Sequence, residues 1–236
     1  MMNDHTAKAF DVDLHEISRK VAEMGGLAEK QIADSIETLT RRDVEGARHV
    51  VAADDAIDRL QREIEEKCVL TIARRQPMAV DLRQVVGALR ISNDLERVGD
   101  LAKNISKRID SLDSKFEPPT LIRGIEHMAA MVLEQLNQVL DSYAARDLEK
   151  AMAVWRGDEG IDAMCTSLFR ELLTYMMEDP SHITFCLHLM FCAKNIERMG
   201  DHATNIAETV YYMVEGHPIA DERPKANSLT ALSASQ

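Results

Sequence analysis

Carboxylates spaced four residues apart recur along this chain. The pairs are Asp54/Asp58, Glu96/Asp100, Asp158/Asp162 and Glu197/Asp201. Residues i and i+4 of a helix share one face, so each pair holds two like charges together at a cost of about 0.2–0.5 kcal/mol. The repetition of an unfavourable pair predicts that a cation binds there, and ligand sets made only of oxygen suit Mg²⁺, Ca²⁺, Mn²⁺ or iron.

Two of these pairs belong to a longer segment that occurs twice. Residues 94–105 return as residues 195–206, with Glu, Arg, Gly, Asp, Ala, Asn and Ile in register. Upstream, residues 54–58 match residues 158–162 at nearly the same offset. A period of about a hundred residues indicates two tandem copies of one small unit rather than a solenoid of short repeats.

The spacing of the pairs predicts that they converge. In an antiparallel hairpin that turns near Gln76, Asp58 and Glu96 lie at nearly equal distances from the turn. Asp54 and Asp100 are matched in the same way, and so are their counterparts in the second copy. Four carboxylates from two helices are therefore expected to meet in each copy, as a metal site.

Other residues of the repeated segment are interpreted as supports for the carboxylates. These residues are Arg97, Arg198, Asn104 and Asn205. The alternative interpretation is a solvated helix face, on which Arg97, Arg198, Arg59, Arg62 and Lys103 neutralise the acids in weak surface salt bridges. Neither interpretation is excluded by spacing alone.

Composition limits the class of protein. The 236 residues contain 4% aromatic side chains, 10 Gly and 6 Pro, which favours helices over sheets. A net charge of -12 argues against nucleic acid or an anionic membrane as the main partner. The 4 cysteines lie within helical patterns and predict buried free thiols. Without an apolar leader or a long apolar run, the sequence predicts a cytoplasmic protein.

The elements that must position the carboxylates are long helices. Apolar periodicity predicts helices at about residues 6–40, 43–74, 77–110, 121–145, 147–178 and 180–215. Gly25-Gly26 predicts a bend or a close helix contact. Short connections predict an all-α fold of two tandem up-down-up three-helix bundles related by internal duplication. The expected divisions are a bundle at 1–112, a linker at 113–120, a bundle at 121–216 and a disordered tail at 217–236.

At these motifs the chain resembles the PhoU family. The resemblance rests on residues 77–83, 96–102 with Asn104, and 197–203 with Asn205, and it spans about residues 6–216. It implies the same duplicated fold, and some members carry multinuclear iron or zinc clusters on paired E/D-x-x-x-D motifs. Those motifs correspond to the eight carboxylates named above. Because residues 77–83 have no close echo after Pro180, the two bundles are expected to have different partners.

The resemblance implies regulation rather than catalysis. PhoU-like proteins dampen the phosphate-starvation response and restrain phosphate uptake. They are thought to connect the ATPase subunit of the phosphate-specific ABC transporter with a sensor histidine kinase. The alternatives are a carboxylate-bridged metalloenzyme, such as a metal-dependent hydrolase, and a purely structural bundle. The sequence leaves open which metal binds, whether phosphate is bound directly, and whether the protein is a monomer or a homodimer.

Overall fold

The structure is a computed structural model that describes residues 2–112 and 119–223. Its long helices are α1 (Met2–Arg41), α2 (Val44–Arg75), α3 (Val80–Ser106), α4 (Pro119–Ala145), α5 (Leu148–Glu178) and α6 (Ile183–Glu215). Short 3₁₀ turns occupy Ile109–Ser111 and Pro180–His182. In this described part of the chain the regular structure is entirely helical, which confirms the predicted fold class.

The duplication extends to the turns. Arg42 and Arg146 adopt left-handed backbone conformations, with φ of 52° and 55°, directly before the second helix of each copy. The next residue caps that helix: the Asp43 side chain accepts from the Gly46 amide, and the Asp147 side chain accepts from the Glu149 and Lys150 amides. Each cap satisfies amides that have no partner within the helix, so both hairpins start in the same way.

Each copy forms a three-helix bundle around an apolar core. Helices α1, α2 and α3 pack on one another, and α4, α5 and α6 do the same. The buried side chains of both bundles join in one cluster, which includes Ile57 and Leu95 and their repeat equivalents Ile161 and Ile196. The apolar periodicity that predicted the helices therefore marks their buried faces.

The two bundles lie side by side and antiparallel. At one end of the α3–α6 contact, Arg83 Nε donates to the Met213 carbonyl oxygen at 3.4 Å. At the other end, the Arg108 guanidinium stacks on the Phe191 ring at 4.3 Å. Helices α1 and α4 also pack together, and a Cβ added at Gly25 would lie 2.6 Å from Leu140. The predicted close helix contact at Gly25 is therefore present.

Helices α3 and α6 each begin three residues later than predicted. Helix α3 begins at Val80 rather than Pro77, because Gln76 closes α2 in a left-handed conformation and Ala79 also has a positive φ of 49°. Residues 77–79 are thus needed to reverse the chain. In the second copy Pro180 begins a 3₁₀ turn, and α6 starts at Ile183.

The expected linker and tail are only partly described. Residues 113–118 of the linker and 224–236 of the tail lie outside the described residues, and α4 already begins at Pro119. The expected disorder does not hold for residues 217–223, where Ile219 packs against the core. We call residues 217–223 the C-terminal strap.

The cysteines match the prediction. All are buried and free, and burial raises the pKa of the Cys68, Cys165 and Cys192 thiols to about 12.

Among the described helices, none is both long and apolar enough to cross a membrane.

Candidate functional site

The first carboxylate cluster joins α2 and α3. Asp54 and Asp58 come from α2, and Glu96 and Asp100 come from α3. Asp54 is only 2% exposed, and its carboxylate accepts from the Gln31 amide at 3.1 Å. Lys103 Nζ forms ion pairs with both Asp54 and Asp100, the latter at 2.5 Å. A buried carboxylate therefore has an internal cation beside it.

The members of this first cluster are close enough to influence one another. The pKa of Glu96 is raised, chiefly because burial removes water from its carboxyl group. The charges of Asp100, Asp58 and Asp54 raise the pKa further, against the opposing charge of Arg97. The structure thus brings together the four carboxylates that the hairpin register placed opposite one another.

The second carboxylate cluster joins α5 and α6 and consists of Asp158, Asp162, Glu197 and Asp201. Asp158 is 2% exposed and accepts from the Thr204 hydroxyl at 3.2 Å. Arg223 Nε and Nη2 donate to the two oxygens of Asp158 at 2.9 and 2.8 Å. The same Nη2 donates to Asp201 at 2.8 Å, so one guanidinium bridges both helices.

Negative charge is crowded here as well. The pKa of Asp162 is raised to about 6, first by burial and then by the charges of Asp158, Glu197 and Asp201. The Arg223 guanidinium opposes this shift and does not cancel it. Glu197 receives a hydrogen bond from Lys194 Nζ at 2.6 Å. The cluster therefore retains an excess of negative charge with its cations in place.

The two clusters use different internal cations. Thr204 occupies the repeat position of Lys103, so α6 carries a neutral hydroxyl where α3 carries an ammonium. Arg223 supplies the positive charge from the C-terminal strap instead. Sequence reasoning missed Arg223, because its distance along the chain from the acids gives no periodic signal. The replacement of Lys103 by Thr204 was the available indication that another cation was needed.

The predicted supporting residues divide into two groups. Arg97 pairs with Glu96 at 3.3 Å and with Asp100 at 3.5 Å. Its counterpart Arg198 is exposed and makes no ion pair within the described part of the chain. Asn104 is exposed, whereas Asn205 donates to Asp94 of the other bundle at 3.4 Å. Asn205 thus contacts the bundle interface rather than the carboxylates.

The donor atoms of both clusters are carboxylate oxygens, the type that a hard divalent cation takes. Each offers carboxylate oxygens from two helices and keeps excess negative charge. Across residues 2–112 and 119–223, no group of three or more His, Cys, Asp and Glu side chains is arranged as a metal-binding set. Lys103 lies among the acids of the first cluster and Arg223 among those of the second, so a metal ion would have to displace these side chains.

A second candidate functional feature lies at the hairpin tips, which occupy opposite ends of the antiparallel molecule. The α2–α3 tip exposes Val69, Leu70, Met78, Val80 and Leu82. The α5–α6 tip exposes Leu173, Met177, Ile183, Leu187 and Phe191. Met78 is 80% exposed and Met177 is 85% exposed. Such apolar surface is typical of a protein-docking region.

The comparisons with known proteins agree with this architecture. The PhoU domain family matches residues 21–109 and 125–210, one copy in each bundle. The chain is 53% identical to the phosphate-specific transport system accessory protein PhoU homolog of Rhizobium meliloti (strain 1021), over 99% of both chains. It is 49% identical to the homolog of the same name from Caulobacter vibrioides (strain NA1000 / CB15N), over 97% of this chain and 100% of that one.

Solved structures show the same likeness. The crystal structure of PhoU from Pseudomonas aeruginosa superposes with a TM-score of 0.84 at 38% identity, covering 88% of this chain and 100% of that one. The phosphate transport system regulatory protein PhoU from Streptococcus pneumoniae gives a TM-score of 0.83 at 26% identity, covering 90% and 100%. The duplicated bundles, the doubled motifs and these relatives together confirm the expected resemblance, and the chain belongs to the PhoU family.

Proposed function

We propose that this protein is a regulator of phosphate transport that dampens the phosphate-starvation response and restrains phosphate uptake. It does so as a cytoplasmic adaptor between the ATPase subunit of the phosphate-specific ABC transporter and a sensor histidine kinase. The observation that carries the proposal is the presence of two repeat-equivalent apolar tips at opposite ends of one molecule. Relatives named as accessory proteins of the phosphate-specific transport system support the same role.

The tips differ in charge, which supports different partners. Exposed Arg74 and exposed Asp81 lie at the first tip, and the neighbouring Arg75 is already paired with Asp13 at 3.0 Å. Exposed Glu178 and Asp179 lie at the second tip. Since complementary charge governs encounter and partner choice, the acidic second tip suits a basic surface, whereas the charges at the first tip largely offset one another.

Deletion of the gene tests the regulatory role. In phosphate-rich medium, the deletion strain is expected to express a phosphate-starvation reporter that the parent strain keeps repressed, and a plasmid copy is expected to restore repression. Full repression in the deletion strain would contradict the proposal.

Matched tip variants test the adaptor role. Met78→Ser with Val80→Ser changes the first tip, and Met177→Ser with Leu187→Ser changes the second. All four side chains are exposed, so the fold should persist. Each double variant is expected to lose co-purification with one partner, kinase or ATPase subunit, and to keep the other. Equal binding of both partners by both variants would argue against separate docking tips.

We further propose that each carboxylate cluster binds a divalent metal ion, iron or zinc by family resemblance and Mg²⁺ or Mn²⁺ by ligand chemistry. The ligands would be Asp54, Asp58, Glu96 and Asp100 in the first cluster and Asp158, Asp162, Glu197 and Asp201 in the second. Elemental analysis of untagged protein tests this, beside the Glu96→Ala/Asp100→Ala and Glu197→Ala/Asp201→Ala variants. Stepwise loss of metal is expected, and absence of metal under every loading condition would contradict it.

We assign the clusters a binding role rather than a catalytic one. The family consists of accessory proteins, and the described groups that contact Asp54 and Asp158 are a lysine, an arginine, a glutamine and a threonine. Turnover of phosphoesters by metal-loaded protein would contradict this assignment.

A further inference from the structure

A cavity of about 600 Å³ lies between α1 and α4, where the two bundles meet. Pockets that hold small organic molecules have volumes of this order. Apolar side chains form much of the lining, among them the buried Ile17 and the half-buried Leu140. Gln84 of α3 and Met213 of α6 also line the cavity, so both bundles contribute walls. None of the clustered carboxylates or exposed tip residues is part of the lining, which makes the cavity a separate feature.

Helices α1 and α4 run antiparallel along the cavity. Asn137 Nδ2 of α4 donates to Glu29 Oε1 of α1 at 3.4 Å, and further along the two helices Gly25 faces Leu140. The residue numbers therefore fall along α1 as they rise along α4. Between Leu14 and Glu29, which both line the cavity, α1 covers about 22 Å. The cavity is thus elongated, and the Glu29 carboxylate lies at one end of it.

The opposite end of the cavity is basic. Burial raises the pKa of Tyr143, and the nearby Ser18 hydroxyl and Arg146 guanidinium oppose that rise. Arg146 follows α4 directly, in a left-handed conformation with a φ of 55°. His15 precedes Ser18 by three residues, so it lies one turn away on the same face of α1. A guanidinium and an imidazole therefore line this end together.

Neighbouring groups do not compensate the charges of the two ends. Among residues 2–112 and 119–223, no side chain forms an ion pair with Arg146, His15 or Glu29. The other charged side chains of the lining already pair with residues outside it, Arg19 with Glu23 and Asp141 with Lys150. The cavity therefore presents a cation without a partner at one end, apolar surface along its length, and a carboxylate at the other end.

We infer that this cavity binds an amphipathic organic anion. Its carboxylate or phosphate-monoester group lies against Arg146 and His15, because a guanidinium donates to two oxygens of such a group at once. Its apolar body lies on Ile17 and Leu140, and the Glu29 carboxylate excludes a second anionic group at the far end. A bound molecule touches both bundles, so its binding stabilises the packing of α1 on α4. The inference is independent of the regulatory role proposed above.

The first test is competition for a fluorescent probe on the purified full-length protein. The probe is anilinonaphthalene sulfonate, which joins an anionic group to an apolar body and fluoresces when it leaves water. Decanoate and decyl phosphate are expected to displace it, and the tighter of the two identifies the preferred anionic group. Decylammonium has the wrong charge and inorganic phosphate has no apolar body, so neither should displace the probe at the same concentration. Displacement by decylammonium as effective as that by decanoate would overturn the inference.

A substitution that fills the cavity locates the bound probe, since the exposed tips also offer apolar surface. Gly26 lines the cavity, and a Cβ there meets no atom within 4 Å. Gly26→Leu therefore places its side chain in open space, and its melting temperature should not fall below that of the native protein. It is expected to weaken probe binding about tenfold or more, because the added side chain occupies the volume of the apolar body.

The anionic group is tested with Arg146→Gln, which is expected to weaken probe binding about tenfold through loss of a charged hydrogen bond. Arg42→Gln is the matched control, because Arg42 occupies the repeat-equivalent turn with a φ of 52° and lies outside the cavity. It should change the affinity by less than about twofold.

Three outcomes would overturn the inference. The first is a native protein that does not bind the probe. The second is equal binding by the native protein, Gly26→Leu and Arg146→Gln, which would place the probe elsewhere on the surface. The third is an equal loss of affinity in Arg42→Gln and Arg146→Gln, which would show that net charge rather than this site attracts the anion.

Discussion

The glycine of the repeated segment allows the neighbouring helix to approach closely. A Cβ at Gly99 would lie 2.9 Å from Ile57 Cδ1 and 3.2 Å from Asp54 Oδ1. A Cβ at Gly200 would lie 2.9 Å from Cδ1 of Ile161, the repeat equivalent of Ile57. In each copy, therefore, a glycine that close helix packing requires lies between the two carboxylates of the pair.

Alanine at Gly99 is expected to lower the free energy of unfolding by about 1–2 kcal/mol, because crowding of Ile57 and Asp54 outweighs the gain in helix propensity. Gly26→Ala is the control. A Cβ there meets no atom within 4 Å, so a gain of up to about 1 kcal/mol is expected. Urea unfolding of the two variants checks the prediction, and a stabilised Gly99→Ala would contradict it.

Removal of Lys103 leaves the buried Asp54 carboxylate without its cation. Lys103→Met is expected to cost about 3 kcal/mol of stability in the metal-free protein, since one partner of a largely buried pair is lost. Lys150→Met breaks an exposed pair with Asp141 and should change stability by less than about 0.5 kcal/mol. Similar losses in both variants would argue against the burial of the first pair.

The raised pKa of Asp162 predicts that the stability of the protein depends on pH once a chelator has removed metal. Its pKa is about 6 in the folded state against an ordinary value of 3.8, so between these values the folded protein binds the proton more tightly than the unfolded chain does. Its contribution to stability therefore falls as pH rises from about 4 to 6. Asp162→Asn should abolish this fall, and urea unfolding at pH 4.5 and 7 should show a smaller loss in the variant.

At the scale of elements, the hairpin tip of the first bundle carries backbone strain. Ala79 has a φ of 49° and a ψ of -113°, a region that favours glycine. Ala79→Gly is expected to stabilise the protein by about 1 kcal/mol, whereas Ala73→Gly, at an exposed position within α2, should destabilise it by a similar amount. Thermal unfolding distinguishes the two, and a loss of stability in Ala79→Gly would contradict the strain.

The sequence was sufficient to predict where the long helices lie, but not where each helix begins. Apolar periodicity located all six long helices because it runs through many residues of each one. The start of α3 was placed at Pro77 because proline suits a first helical turn, but the reversal after Gln76 needs residues 77–79 in other conformations. The helix propensity of a local segment carries no information about where the tertiary structure requires the chain to reverse.

The carboxylate clusters were likewise predicted only in part. Hairpin register correctly predicted which acids lie close enough to influence one another, since the residue count from a turn is a property of the sequence. The expected pairing of Arg198 with the acids is absent from the described structure, and Lys194 pairs with Glu197 instead. Which of several nearby cations reaches a carboxylate depends on side-chain direction and on distant segments such as the strap, and spacing does not fix either.

At the scale of the whole molecule, Asp94 joins the bundles. His202 Nδ1 lies 2.9 Å from Asp94 Oδ1, and Asn205 donates to the same oxygen. Asp94→Ala is expected to lower stability by about 1–3 kcal/mol and to speed amide exchange along the α3–α6 contact. Asn93→Ala is the control, because Asn93 is exposed and accepts from Gln61 within its own bundle. Unchanged exchange in Asp94→Ala would contradict a linking role for this residue.

The side-by-side packing of α3 against α6 has an evolutionary consequence. The two helices are repeat equivalents, so a chain containing a single copy could make the same contact with a second molecule across a true twofold axis. In such an ancestor every substitution would appear twice. A fused chain is free of that constraint, and the two halves of this one differ where they meet or bind cations: Asp94 has Asn195 as its counterpart, and Lys103 has Thr204. Divergence of this kind lets one gene encode two unlike halves on one scaffold.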